Sequence, residues 1–428
     1  MEKLRPLFKI IGVIAFWIRY RKTQYWSEKQ IKTYQLKRIK RQLKRAKKVE
    51  YYQKLFKAIN FDPERDFNQL EDLKKIPITS KQQVRSEPKQ FINPVLRKFS
   101  FIFKTSGSTG NPMTFYIHPI HWIIEQAVIY RHWRWGGYRR RFKTAILRSY
   151  SPKPHEPLFK FSRILNSYYF SPFHMNDTNM LEYYTVMRRK RIRVLRGYPS
   201  SIKIFAEFLD RKQLNELNIC LILTASEVLT TKDREFIERV FKTKISNHYG
   251  LAEQIVMFGD CENHTHLHNY FEYGYLELID TEEPTVKKII GTNLHNKTMP
   301  LLRYDTGDLA IVDTWKCNCE RATQVVKNVI GRSDLTINCP NGYKIPSVNF
   351  YTMLDLYPKI KQWQIEYNDT IFLLKIDSGN TLNSNDHLQI EQDLDQRLLT
   401  SGFQVKIKET RDFLKINEGK IPTIISTL

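Results

Sequence analysis

The chain opens on an apolar run, Leu7-Phe8-Lys9-Ile10-Ile11-Gly12-Val13-Ile14-Ala15-Phe16-Trp17-Ile18, closed by Arg19-Tyr20-Arg21-Lys22. With a lysine inside, it is too short to cross a hydrocarbon core that takes about 20 residues. No small-residue cleavage site follows it. Val49-Glu50-Tyr51-Tyr52-Gln53-Lys54-Leu55-Phe56 continues a helical pattern, and Ile76-Pro77-Ile78-Thr79-Ser80-Lys81 reads as a turn and helix cap. From about residue 100, short apolar runs alternate with amphipathic stretches, the pattern of an α/β domain. Residues 144–150 and 219–224 predict buried strands, and Tyr273–Ile279 alternates as a half-buried one. Ile202, Phe205, Ala206 and Leu209 have helical spacing, and the Pro-rich stretch 151–157 predicts a loop. Past residue 335 a smaller unit is expected, with a strand at Ile371–Ile376 and a helix near 386–399. The fold class is therefore α/β: a large domain of sheets flanked by helices, then a small α+β domain. No internal repeat or low-complexity linker interrupts it.

Composition narrows the class. With 428 residues, 41% hydrophobic, 13% aromatic and 26% charged, the chain is globular, which excludes wholesale disorder and a polytopic membrane protein. The net charge of +25 is uneven: residues 1–50 carry 16 Lys/Arg against 3 acids, densest over Lys37–Lys48. Such charge implies a polyanionic neighbour. Nucleic acid is not expected, because no zinc-finger, RNA-recognition or helix-turn-helix signature accompanies the charge. An apolar stretch beside a polybasic one fits peripheral attachment of residues 1–48 to an anionic inner membrane face. The alternative is that these residues pack on the body while the lysines face water. Five cysteines, an odd number without a framework, indicate a reducing, cytoplasmic compartment.

The most informative stretch is Lys104-Thr105-Ser106-Gly107-Ser108-Thr109-Gly110-Asn111-Pro112. Its glycines let backbone amides converge on an anion, and its hydroxyls and lysine suit phosphate oxygens. No Gly-Lys-Ser/Thr closes it, so it is not a P-loop. It resembles the Thr-Ser-Gly-Ser/Thr-Thr-Gly-x-Pro loop of the adenylate-forming enzymes, which include acyl-CoA synthetases, luciferases and adenylation domains. Tyr249-Gly250-Leu251-Ala252-Glu253, Tyr304-Asp305-Thr306-Gly307-Asp308, Gly331-Arg332-Ser333-Asp334 and Glu418-Gly419-Lys420 resemble that family's later motifs, in its order. Leu73–Thr79, Arg196–Ser200 and the Glu-Gly-Lys end are similar to the phenylacetate–CoA ligase group and its CapK-type relatives in capsular polysaccharide biosynthesis. The likeness begins near residue 40.

The resemblance implies a basic N-terminal arm over 1–48, an AMP-binding domain over 49–333 and a mobile lid domain over 334–428. It implies an ATP-dependent ligase that activates an acid as acyl-AMP, releases pyrophosphate, and passes the acyl group to CoA or another acceptor. Thr105, Ser106, Gly107, Ser108, Thr109 and Gly110 would hold the phosphates, and Glu253 would bind Mg²⁺. Tyr249 and Gly250 would lie by the adenine, with Glu227 touching the nucleotide. Asp308 would accept the ribose hydroxyls and Arg332 would sit beside ribose and phosphate. Asp334 would be the hinge, and Lys420 would meet the developing charge on phosphorus. Lys420, Glu253 and Thr109 form the implied catalytic set. Ala252 replaces the usual Thr, and Leu335 stands where a second Asp is frequent.

Cys261, His264, His266 and His268 precede Cys317-Asn318-Cys319. Three thiolates and one imidazole would close a tetrahedral structural zinc site. The resemblance favours Cys261, His268, Cys317 and Cys319, while three reduced cysteines packed in a core are the other reading. The acid is open, aromatic or destined for a surface polysaccharide, with candidate pocket residues in His132–Tyr138 and Arg196–Ser200. A second reading keeps the nucleotide site but uses it for scaffolding at a membrane surface.

Overall fold

The computed structural model describes the chain apart from residues 1–4, 105–112, 149, 151, 153–155, 173, 228, 230, 282–283, 314–316, 333–335, 342–343, 347–349, 351–352, 355–356, 358, 361, 399–400, 415–423 and 428. It divides into two units. The first comprises residues 1–103, 115–306 and 310–329, and the second 104–114, 307–309 and 330–428.

Strands β1 (Phe101–Lys104) and β2 (Thr114–Ile117) form a two-stranded ribbon. The main sheet of the first unit uses β3 (Thr144–Leu147), β4 (Phe159–Ser162), β5 (Ser167–Phe170), β6 (Val194–Gly197), β7 (Leu221–Ala225), β8 (Ile245–Gly250), β9 (Met257–Asp260), β10 (Leu267–Asn269) and, after β11 (Gly274–Asp280), β12 (Val286–Asn293) and β13 (Tyr304–Ile311), β14 (Val325–Val326). Its order is β14-β10-β9-β8-β7-β6-β3-β5-β4. The run β5-β3-β6-β7-β8 is parallel, and antiparallel strands extend it at both ends. Every residue of β3 and β7 is buried, as expected for parallel strands covered on both faces.

The helices follow from spacing and caps. Asn176 accepts from the Asn179 amide at 2.9 Å to start Asp177–Arg189, and Pro199 occupies the first position of Pro199–Arg211, where its missing N–H costs nothing. Ile202, Phe205, Ala206 and Leu209 all point inward, joining Ala145, Leu195 and Ile222 in one core. Apart from this sheet, β11 and β12 pair antiparallel from Gly274↔Asn293 to Asp280↔Lys287. Gly274 is required there, because a Cβ would collide with the Ile255 carbonyl.

The basic N-terminus is built into the first unit. Helix α1 (Arg5–Thr23) lays Val13, Phe16, Trp17 and Tyr20 against a cluster containing Ile124, Val128, Tyr270 and Tyr273. The Tyr20 carbonyl accepts from Arg131, and the Thr23 hydroxyl donates to Glu272. Helix α2 (Glu28–Ala46) starts in a Ser27/Gln30 capping box and buries Ile31, Tyr34, Ile39, Leu43 and Ala46. Gln42 donates to Asn293 Oδ1 at 2.7 Å and to the Asn296 carbonyl at 2.8 Å. For α2, packing with lysines facing outward is what the chain adopts. Among the described residues no helix is long and apolar enough to cross a membrane.

The second unit has a four-stranded sheet in the order Gln404–Glu409, Ile371–Asp377, Gln362–Tyr367, Ile424–Ser426. Helix Ser384–Leu398 contributes Ile390, Leu394 and Leu398 to its core, against Ile365, Phe372, Leu374 and Ile376.

Candidate active site

In an open α/β sheet, ligands bind beyond the carboxyl ends of the parallel strands. Here that edge carries Arg148 after β3, Gly197 in β6, Ser226-Glu227 after β7 and Tyr249-Gly250 in β8. Ser226 has φ +76°, a left-handed conformation that costs a side-chain-bearing residue about 1–3 kcal/mol and clusters at functional turns. It turns the chain at Glu227, which is half-buried. The Tyr249 ring lies 5.6 Å from that of Phe258 on the neighbouring strand.

Glu253 follows β8 and is 3% exposed. Lys81 Nζ stands 3.1 Å from its Oε1, and the Tyr304 hydroxyl donates to the same oxygen at 3.4 Å. Lys81 is carried by the short helix Lys81–Ser86, whose start is fixed by the Ser80/Gln83 capping box. Thr79 holds that turn in place through the Leu302 carbonyl at 3.0 Å. Sequence reasoning singled out the Ile76–Lys81 turn but gave Lys81 no role, since its partner lies 172 positions away. A carboxylate oxygen is the kind of ligand a hard cation takes.

Next to it, Gln254 donates to Glu125 at 2.9 Å and its carbonyl contacts His121 at 2.7 Å. Burial pushes the Glu125 carboxyl up to about 8 and the His121 imidazole down to about 4, so both are uncharged at neutral pH. In the second unit's share of β13, Asp308 is buried and follows Gly307 at φ +75°. Arg332 ends the strand Asn328–Arg332. Thr105, Ser106, Gly107, Ser108, Thr109, Gly110, Asp334 and Lys420 lie outside the described residues.

A second cluster sits within the first unit. The ligand atoms of Cys261, His268, Cys317 and Cys319 all lie within 4.8 Å of one another. Cys261 Sγ is 3.4 Å from Cys317 Sγ, and Cys319 Sγ is 3.4 Å from His268 Nε2. His268 Nδ1 stands 2.9 Å from Thr323 Oγ1, which leaves Nε2 turned to the thiols. His264 and His266 instead face Asp260 at 3.9 Å and Asp313 at 3.0 Å. Three sulfurs and one imidazole at this spacing suit a closed tetrahedral cation site. Arg321, stacked on Trp135 at 4.1 Å and paired with Glu262 at 2.8 Å, closes one side of this region.

No family model matches the chain. Among solved structures, 2-hydroxyisobutyryl-CoA ligase in the postadenylation state with R3-HIB-AMP superposes with a TM-score of 0.63 at 16% identity. That match covers 95% of this chain and 91% of that one. The same ligase with 2-HIB-AMP and CoA also gives 0.63, at 17% identity. The fold is thus shared with that CoA ligase. Protein CapK of Staphylococcus aureus is 22% identical over 314 residues, which is 72% of this chain and 69% of that protein. Phenylacetate-coenzyme A ligase of Thermus thermophilus is 24% identical over 321 residues, 67% of this chain and 66% of that protein. Over about two thirds of its length the chain is thus similar in sequence to both of these proteins.

Proposed function

We propose that the chain is an ATP-dependent carboxylate ligase that forms an acyl-AMP, releases pyrophosphate and then transfers the acyl group to CoA or another acceptor. The observation that carries this reading is the buried Glu253 beyond β8, paired with Lys81 and placed just past Tyr249-Gly250. It is supported by five motifs in family order on a fold shared with acyl-AMP-bound ligases. Glu253 is suited to Mg²⁺, which when bound neutralises phosphate charge. The Thr105–Gly110 loop would cradle the phosphates, Tyr249 would lie against adenine, and Asp308 would accept the ribose hydroxyls. Residues 334–428 would act as the lid, turning at Asp334 and delivering Lys420. CapK-like similarity favours an acid used in cell-surface polysaccharide. The Cys261/His268/Cys317/Cys319 cluster would hold a structural zinc.

A pyrophosphate-release assay with ATP, Mg²⁺ and a panel of carboxylic acids, then with CoA added, tests the reading. Acid-dependent release supports it. ATP binding without release under any acid transfers the weight to scaffolding. Lys420→Ala should cut release by about 10²-fold, the size of losing one charge-stabilising group, while leaving ATP binding intact. Full turnover by that variant would remove the lysine from the mechanism.

The partner reading for the N-terminus is sharper than a free arm. Ile11, Ile14 and Ile18 are 54%, 41% and 51% exposed on one face of α1, opposite the residues that pack on the body. Exposed Arg19, Arg21 and Lys22 follow directly. That combination suits shallow insertion into an anionic lipid surface. The chain should float with phosphatidylglycerol-rich vesicles and not with phosphatidylcholine alone. Replacing the three isoleucines by serine should abolish flotation, and unchanged binding would reject the face.

A further inference from the structure

The buried arginines of the first unit mostly have acids. Arg131 meets Glu272 at 2.5 Å, Arg303 meets Glu277 at 2.9 Å and Arg321 meets Glu262 at 2.8 Å. The partly buried Arg234 meets Asp260 at 2.8 Å. Arg196 and Arg148 are half-buried and depart from this pattern. Among the described residues, no ion pair joins either of them to a carboxylate, although both stand at the carboxyl edge of the parallel strands.

Their neighbourhood is built. Arg196 in β6 pairs in register with Ile146 of β3, two residues before Arg148, so the two cations come from adjacent strands. The Arg196 guanidinium stacks on the Trp133 ring at 4.7 Å, and that of Arg148 lies 5.0 Å over Tyr198. Arg148 also donates to the hydroxyl of the strained Ser226 at 3.2 Å. Burial and the nearby Arg148 push the Arg196 guanidinium down to about 10. His248, near the end of β8, is held neutral by burial, with His132, Arg196 and Arg148 all pressing the same way. Two half-buried guanidiniums that repel each other are costly unless an anion completes them. Aromatic stacking fixes their planes and leaves N–H edges free for a planar, bidentate oxyanion.

We infer that Arg148 and Arg196 receive a carboxylate of the acid substrate other than the one activated, so that the acid is a dicarboxylate or its equivalent. This rests on the ligase reading above and names its substrate class. The reacting carboxylate is consumed as it becomes the acyl phosphate, so a permanent cation pair is best matched by a group that keeps its charge throughout. The balance of the reaction is unchanged: one carboxylate attacks the α-phosphorus, pyrophosphate leaves, and the second carboxylate remains ionised.

The probes are succinate, glutarate and adipate with their monomethyl esters, assayed by pyrophosphate release and, without ATP, by calorimetry. The inference expects at least one diacid to have a KM tenfold or more below that of its ester. In Arg196→Met and in the more exposed Arg148→Gln, that diacid's KM should rise at least tenfold more than the ester's. Thermal melts of both variants separate loss of binding from loss of folding. Esters used as well as diacids, or a preference that survives both substitutions, would overturn the inference and leave the ligase intact. Equal losses for diacid and ester, or loss of ATP binding, would also overturn it, assigning the pair to the reacting carboxylate or to phosphate. Diacids that bind wild type and neither variant, with no pyrophosphate released from any acid, would uphold the anion site and sink the ligase reading.

Discussion

Protein purified without a histidine tag should carry about one zinc per chain, and Cys319→Ala should lose it. Each ligand atom of the cluster lies within 4.8 Å of the others, and among the three candidate histidines only His268 belongs to it. Binding requires three thiolates; at Cys317 burial is outweighed by hydrogen bonds with Thr265, Cys261 and Cys319, which lower the thiol, whereas at Cys261 burial pushes the thiol up and biases it to the protonated form when no cation is bound. A zinc ion reverses that bias by direct coordination, releasing protons as it binds. The site links Cys261, at the end of β9, to Cys317 across 56 positions, so metal closes a long loop. Structural zinc supplies about 10 kcal/mol or more in small folds. Chelation should therefore lower the melting temperature further than any single side-chain substitution elsewhere. His264→Gln is the control and should keep its metal, because His264 faces Asp260. A metal content far below one per chain, or equal loss in His264→Gln and Cys319→Ala, would reject the site.

Glu272→Ala should destabilise the first unit by about 3–5 kcal/mol, the cost of stranding a buried guanidinium. Glu272 is fully buried and takes Arg131 through both oxygens, at 2.5 and 3.0 Å. It also accepts from Thr23 at the end of α1, while its backbone carbonyl serves His295 at 2.7 Å. Arg131 continues to the Tyr20 carbonyl at 3.1 Å, so one carboxylate ties helix Pro119–Trp135 to the N-terminal helix. The double replacement Arg131→Leu/Glu272→Leu should cost less than Glu272→Ala, because it removes both desolvation penalties together. Equilibrium unfolding in urea reads both. A loss under 1 kcal/mol for Glu272→Ala would mean that water reaches Arg131 and that the pair is not what anchors α1.

The periodic parts of the fold were legible in the sequence, to within a few residues. The strand expected at 144–150 ends at Leu147, and the one expected at 219–224 begins at Leu221 and runs to Ala225. The helix near 386–399 is Ser384–Leu398, and Tyr273–Ile279 became β11 at Gly274–Asp280. Local spacing decides such elements, so local reading finds them. The pairings that shape the site were not legible. Lys81 finds Glu253, and Arg131 finds Glu272, across 172 and 141 positions, and nothing in either local pattern names the other. The basic N-terminus hides its packing residues for a related reason. Its lysines dominate the composition of α2, yet Ile31, Tyr34, Ile39 and Leu43 recur at helical spacing beneath them and are what the fold uses.

The sheet order also sets a timetable for synthesis. Strand β10 receives its outer neighbour β14 only once residues 325–326 have been made, and the last two sulfur ligands emerge just before them. Thr23, at the end of helix α1, waits 249 residues for Glu272. While those segments are being made the nascent chain therefore presents a helix without its full set of partners and, from residue 269 until β14 follows, an open strand edge, the two features most prone to wrong partners. Assembly of the Cys261/His268/Cys317/Cys319 cluster and the Thr23–Glu272 contact are therefore late events in the first unit, and a ribosome-bound chain shorter than about 300 residues should depend on a chaperone to stay soluble.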